Sequence, residues 1–237
     1  IRDRSPSRGL GDVYKRQITP TLGRVTVNGE TASLGRSVEP EQDRVELDGK
    51  PVQKEQRRTV ILLYKPRGVV STSSDPEGRR TVQDYFREIP ERLYNVGRLD
   101  LNSEGLLLLT NDGAFANMIM HPSGNITKTY RVTVREDANE EHLVQLAEGV
   151  KIDSGITRPA QVTVLEKGEE RTVMQFIISE GKNREIRKMC EAVGLEVARL
   201  RRISIGPLKL GMLKPGSYRE LTADELRALR NAIGKEK

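Results

Sequence analysis

Short apolar runs alternate with polar breaks marked by glycine or proline along this chain. Thr59 to Tyr64 and Gly105 to Thr110 are nearly all apolar over strand length, the pattern of buried strands. Ile126 to Val134 alternates apolar and polar positions, as a strand does. Further strands are expected at Ala160 to Glu166, Thr172 to Ser179, Val197 to Ile205 and around Leu208 to Leu210. Helical spacing and capping residues mark other segments. Asp112 caps a helix through Met120 that ends at His121-Pro122. Asn139 to Glu148 places Leu143, Leu146 and Ala147 on one face. Asn183 caps a helix to Val193, and Thr222-Ala223-Asp224-Glu225 opens a terminal one. Thr81 to Arg87 begins like a helix, after a break at Lys65-Pro66-Arg67-Gly68 and a loop from Ser71 to Arg80. Strands and helices mix without strict alternation, which predicts an α+β fold.

Residues 18–55 form a separate small β-rich module. Arg24 to Glu30 alternates and turns at Asn28-Gly29, and Arg44 to Lys50 repeats the pattern around Asp48-Gly49. The polar stretch Gln53 to Arg58 is a linker, and a larger domain spans 59–237. The first 17 residues stand apart. One short DNA element read in two frames can encode both Ile1-Arg2-Asp3-Arg4 and Asp12 to Gln17, which resembles transposon-adapter sequence. Residues 1–17 are therefore set aside as an adapter-derived segment.

Composition narrows the class. Of 237 residues, 35% are hydrophobic and 31% charged, which fits a soluble protein with a real core. No apolar run is long enough to span a bilayer and no secretory signal is visible, so a cytoplasmic protein without a membrane partner is expected. Cys190 is the one cysteine, and His121 and His142 are the only histidines, too few for a zinc site. The net charge is +6, and its distribution is uneven. Lys182 to Lys214 holds nine Lys and Arg against three Glu, and nine minus three equals the whole net charge. A polyanionic partner follows.

Three segments carry chemistry. In Asn95 to Gly113 a polar loop, Gly97-Arg98-Leu99-Asp100, leads into the buried strand, which puts Asp100 at the edge of the core. A solvated turn fits the same pattern. A metal site made of Asp100, Glu104 and Asp112 does not, because Glu104 and Asp112 bracket a strand. In Lys128-Thr129-Tyr130-Arg131-Val132, Lys128, Tyr130 and Val132 share one face. That pairs a stacking ring with a phosphate anchor, or else a core Tyr with a snorkelling Lys. In Glu180 to Cys190, Arg184, Arg187 and Lys188 share one side of a helix while Ile186, Met189 and Cys190 point to the core. Those cations either face an active-site carboxylate or form a solvated basic face. His121 fits a helix end better than a general base, and Cys190 fits packing.

Together and in this order, Gly97-Arg98-Leu99-Asp100 with Ser103 to Gly113, Lys128-Thr129-Tyr130, and Gly181 to Met189 resemble the signature of pseudouridine synthases of the RsuA/RluB branch, most like the RluB type. These enzymes act on bacterial ribosomal RNA, and the resemblance covers Val60 to Leu221. It implies a catalytic domain with a central mixed, mostly antiparallel sheet flanked by helices. Residues 18–55 are similar to the second half of a small RNA-binding domain related to bacterial ribosomal protein S-four, whose first half is missing here. The resemblance makes Asp100 the essential catalytic carboxylate. It assigns Arg98 to opening the RNA stack or holding the flipped nucleotide's phosphate, and Tyr130 to stacking on the uracil. Arg187 would pair with Asp100, Ile186 would line the pocket, and Lys128, Lys182 and Arg184 would help hold the substrate.

The implied reaction breaks the ribose–uracil bond, turns the base and rejoins it through carbon. It involves no redox change and no attacking water, so no cofactor and no metal are expected. Asp100 would act as nucleophile or as base on the ribose. The expected partner is ribosomal RNA, foremost that of the large subunit, or a pre-ribosomal particle, with the protein acting as a monomer. The rival from another class is a ribosome-associated RNA-binding protein without catalysis. A metal-dependent RNA hydrolase is weaker, because the carboxylates are not clustered.

Overall fold

The computed structural model describes residues 24–33, 36, 38–39, 42–52 and 58–233. Residues 1–17, read from the sequence as adapter-derived, lie outside them. The chain divides into two compact units at Arg58/Thr59. In the first, β1 (Val25–Val27), β2 (Glu30–Thr31), β3 (Val45–Leu47) and β4 (Lys50–Pro51) form an antiparallel sheet in the order β2-β1-β3-β4. Both expected hairpins are present. Asn28-Gly29 and Asp48-Gly49 take the left-handed conformations that a tight two-residue turn requires, with φ of 55° and 85°, and 52° and 73°.

The second unit is built on a nine-stranded mixed sheet. Its elements are β5 (Val60–Lys65), β6 (Tyr94–Val96), β7 (Ser103–Thr110), α1 (Gly113–Met120), β8 (Lys128–Val134), α2 (Glu140–Glu148), β9 (Lys151–Ile152), β10 (Gly155–Ile156), β11 (Gln161–Gly168), β12 (Arg171–Ile178), α3 (Glu185–Ala192), β13 (Val197–Ile205), β14 (Leu208–Lys209), β15 (Tyr218–Glu220) and α4 (Ala223–Ala232). The main path runs β11-β12-β8-β13-β7-β5-β15, with β14 beside β13 and β6 beside β7; β9 and β10 form a separate hairpin. β7 and β13 are parallel and the other pairs antiparallel. This is the mixed, mostly antiparallel α+β sheet expected.

The apolar runs follow from the layering. Ile61, Leu63, Leu107 and Leu109 pack on one face with Leu146 of α2 and Ile186 and Met189 of α3. Leu62, Leu106 and Leu108 pack on the other with Phe115 and Ile119 of α1 and Leu229 of α4. A strand covered on both sides needs apolar side chains at every position, so β5 and β7 show no alternation. The α1 and α4 starts match the sequence reading: Asp112 accepts the Phe115 N–H at 3.0 Å and Thr222 Oγ1 the Glu225 N–H at 3.2 Å. No helix among the described residues is long and apolar enough to cross a membrane.

Two expectations change. Thr81 to Arg87 is one short 3-10 turn, Val82–Tyr85, rather than the start of a longer helix. Asn183 does not cap α3. Arg184 takes that position in the left-handed conformation, φ 52°, and Asn183 Oδ1 instead accepts from Lys188 Nζ at 3.5 Å. The buried Glu185 side chain turns back to accept the Lys182 N–H at 2.9 Å, closing the turn that precedes α3 rather than capping the helix.

Candidate active site

The loop between β6 and β7 is pinned by backbone contacts on both flanks of Asp100. Ser71 holds Leu99 twice: its Oγ donates to the Leu99 carbonyl at 2.8 Å and accepts the Leu99 N–H at 3.2 Å. Asn95 Nδ2 donates to the Ser71 carbonyl at 2.9 Å and fixes Ser71 in turn. The Gly68 N–H donates to the Leu101 carbonyl at 2.8 Å, and the Ser103 N–H to the Asp100 carbonyl at 3.0 Å. Leu99 is buried in the same apolar cluster as Tyr130 and Ile186. The Asp100 side chain stays 32% exposed, anchored by its neighbours yet reachable.

A row of residues crosses the sheet beneath this loop. Lys65 on β5 is in register with Gly105 on β7, Gly105 with Arg202 on β13, Arg202 with Tyr130 on β8, and Tyr130 with Phe176 on β12. Lys65 is wholly buried, and its Nζ donates to the Pro66 and Ser103 carbonyls at 2.9 and 2.7 Å. Burial pulls its ammonium down to about 8, against the pull of the Asp100 and Glu104 carboxylates. Arg202 is 4% exposed. Its Nε donates to the Leu106 carbonyl at 2.7 Å, and its Nη2 has no hydrogen-bond partner among the described residues.

The cations of the third segment separate here. Arg184 Nη1 stands 3.7 Å from Asp100 Oδ2 and makes the ion pair expected of Arg187. Arg187 instead bridges backbone, donating from Nη1 to the Val197 carbonyl at 3.2 Å and from Nη2 to the Asn102 carbonyl at 3.0 Å. It braces the far end of the Asp100 loop against the start of β13. The physical reason is the left-handed turn at Arg184, which brings that side chain to the carboxylate one turn before the helix could present Arg187. Burial lowers the Arg187 pKa, as does nearby Arg184, while Asp100 opposes the shift.

Other expected residues take varied places. Arg98 is exposed on the loop, and no ion pair or hydrogen bond of its side chain is seen among the described residues. Lys128 Nζ points to the Ile126 and Glu180 carbonyls, each at 3.4 Å, and burial lowers its pKa. Lys182 Nζ donates to the Ile156 carbonyl at 2.7 Å. Tyr130 and Ile186 are buried at 8% and 3% exposure. Glu104 belongs to other contacts: it pairs with Arg199 and accepts from the Tyr64 hydroxyl at 3.1 Å. Cys190 is buried, as expected.

Sequence reasoning missed Lys65, Ser71 and Gly68. The signal for Lys65 was present: strand parity places it on the face of Ile61 and Leu63, where a lysine needs a reason. Ser71 and Gly68 act through backbone contacts with residues about 30 positions away, which no local pattern encodes.

Residues 59–192 match the family of RNA pseudouridylate synthases. An uncharacterized RNA pseudouridine synthase of Aquifex aeolicus is 42% identical over 214 residues, which is 90% of this chain and 86% of that protein. Ribosomal large subunit pseudouridine synthase B of Bacillus subtilis is 44% identical over 211 residues, covering 88% of this chain and 86% of its own length. A crystal structure of a pseudouridylate synthase superposes with a TM-score of 0.70 at 28% identity, over 91% of this chain and 98% of that one. The chain belongs to the RNA pseudouridylate synthase family, and its substrate is RNA.

Proposed function

We propose that this enzyme isomerises one uridine of large-subunit ribosomal RNA to pseudouridine, with Asp100 as its catalytic carboxylate. The observation that carries the assignment is the convergence at one loop: a pinned, reachable carboxylate, a cation paired to it, and Tyr130 with Leu99 and Ile186 in the apolar cluster alongside. The likeness to the large-subunit enzyme of Bacillus subtilis supports the choice of RNA. In the reaction the bond from ribose C1′ to uracil N1 breaks and the base turns. A bond then forms from C1′ to C5, the C5 proton leaves, and N1 gains a proton. Asp100 serves either by attacking C1′ or by taking a proton from the ribose. Tyr130 and Ile186 hold the detached base in a closed pocket, which keeps it from diffusing away. Arg98, exposed beside Asp100, meets the flipped nucleotide. Lys182, Arg184 and Arg187, with Lys128 and the buried Lys65 and Arg202 behind them, give the site a positive potential suited to phosphates. The enzyme works as a monomer in the cytoplasm, on ribosomal RNA or a pre-ribosomal particle.

Two sets of variants test the roles. Tyr130→Leu keeps an apolar side chain but removes the ring, so RNA turnover should fall about 10- to 100-fold, as expected for a lost base–aromatic stack. Unchanged kcat/KM in a steady-state assay would remove Tyr130 from the site. Arg187→Ala frees the Asn102 end of the loop and should lower kcat about 100-fold, more than Arg184→Ala at about 10-fold. The reverse order would make the Arg184 ion pair, and not the Arg187 brace, what positions Asp100.

A further inference from the structure

The turn that presents Arg184 is closed by two carboxyl groups with no role so far. Glu185, the first residue of α3, is 4% exposed. Its Oε2 accepts the Lys182 N–H at 2.9 Å, and its carboxyl is a neighbour of the Glu180 carboxyl, near enough for the two to share a proton. Two carboxyl groups do so only while one of them keeps its proton. Glu180 is itself tied down. Its Oε1 accepts the Arg158 N–H at 2.6 Å, and its Oε2 lies 3.3 Å from Lys182 Nζ. That ammonium also fastens the β9–β10 hairpin through Ile156. From the sheet, Lys128 on β8 donates to the Glu180 carbonyl and feels the charge of Glu185. Glu185 is thus faced by Glu180 and Lys182 from the turn and by Lys128 from the sheet. Nothing in the packing of an apolar core calls for a buried acid here, since Ile186, Met189 and Cys190 of α3 already fill it. What the acid pair does hold is the turn whose left-handed residue, Arg184, reaches Asp100.

We propose that Glu185 is a positioning residue of the active site: buried beside Glu180 and bonded to the Lys182 N–H, it locks the Glu180–Glu185 turn and holds Arg184 against Asp100. The inference rests on the reading of Asp100 as the catalytic carboxylate. It carries a pH signature. Burial, and then the neighbouring Glu180 carboxyl, push the Glu185 carboxyl up to about 7. Burial pushes Glu180 up as well, but the Arg158 N–H, Glu185 and Lys182 outweigh it and leave Glu180 lowered. The proton therefore resides on Glu185. Below about pH 7 the proton stays; above it Glu185 ionises, two carboxylates face each other, and the turn loosens. Turnover falls as pH rises through that range.

The test uses the full chain and a large-subunit ribosomal RNA transcript carrying tritium at uridine C5, since isomerisation releases that hydrogen to water. Tritium release is followed from about pH 6 to 9 for wild type, Glu185→Gln and Glu185→Ala, with kcat and KM separated and thermal melts recorded. Glutamine donates its amide to Glu180 and accepts from Lys182 without titrating. The Gln variant is expected to keep turnover at low pH and lose the alkaline decline. The Ala variant is expected to lose about 10-fold in kcat at every pH with KM changed less than about 3-fold. A Gln variant that keeps the wild-type alkaline decline overturns the role of Glu185, and so does an Ala variant with wild-type kcat. If the Ala variant fails to fold, the Gln profile decides alone. A wild-type enzyme that releases no tritium overturns the functional reading itself, a different failure.

Discussion

Asp100→Asn abolishes isomerisation, with turnover down by about 10⁴-fold or more, while affinity for RNA stays within about 3-fold. Asparagine has the shape of aspartate, but its amide neither attacks a ribose carbon nor takes up a ribose proton. The loop keeps its position because its anchors do not use the carboxylate. Ser71 grips the Leu99 backbone, Gly68 the Leu101 carbonyl and Arg187 the Asn102 carbonyl. The substitution does remove the ion pair to Arg184. Both side chains of that pair are part exposed, so breaking it costs about 1 kcal/mol or less. Single-turnover tritium release and a filter-binding titration on the same transcript separate chemistry from binding. A variant that turns over within 10-fold of wild type removes Asp100 from the chemistry.

The second large effect falls on the sheet. Gly105 lies in β7 with φ +108°, between Lys65 of β5 and Arg202 of β13. A Cβ there would stand 2.2 Å from the Arg202 carbonyl oxygen and 2.9 Å from its nitrogen. Both atoms belong to backbone, so no side-chain rotation relieves the clash, and the positive φ adds strain of its own. Gly105→Ala must therefore part β7 from β13, the parallel pair that carries Arg202 next to Tyr130. A loss of about 4 kcal/mol or more is expected, with a Tm about 10 °C lower in a calorimetric melt. A Tm within about 2 °C of wild type would mean that the strands part without cost.

The fold was legible where an element is long enough to impose a period or needs a specific cap. β5, β7, β8 and β13 lie within two residues of their expected positions, because each is apolar or alternating over six residues or more. The short strands β6, β9, β10 and β15 left no period to detect; each exists through its pairing partner. The site was legible in its residue types and less so in its pairings. Helical spacing made Arg184 and Arg187 equivalent candidates for Asp100. The left-handed turn at Arg184, stabilised by the buried acid that follows it, decided between them. Lys65 escaped because a lysine ending an apolar strand looks like the boundary of the strand; parity puts it on the buried face, and the register across β7 to Arg202 then lines it up with Arg202 and Tyr130.

One measurement bears most directly on the central claim. Purified wild-type protein and the Asp100→Asn variant are each incubated with an unmodified large-subunit ribosomal RNA transcript. The RNA is then digested to nucleosides, and pseudouridine is quantified and mapped. About one pseudouridine per RNA at a single position is expected with wild type and none with the variant. Intact RNA without pseudouridine after wild-type treatment, cleaved RNA, or equal pseudouridine from both proteins would contradict it.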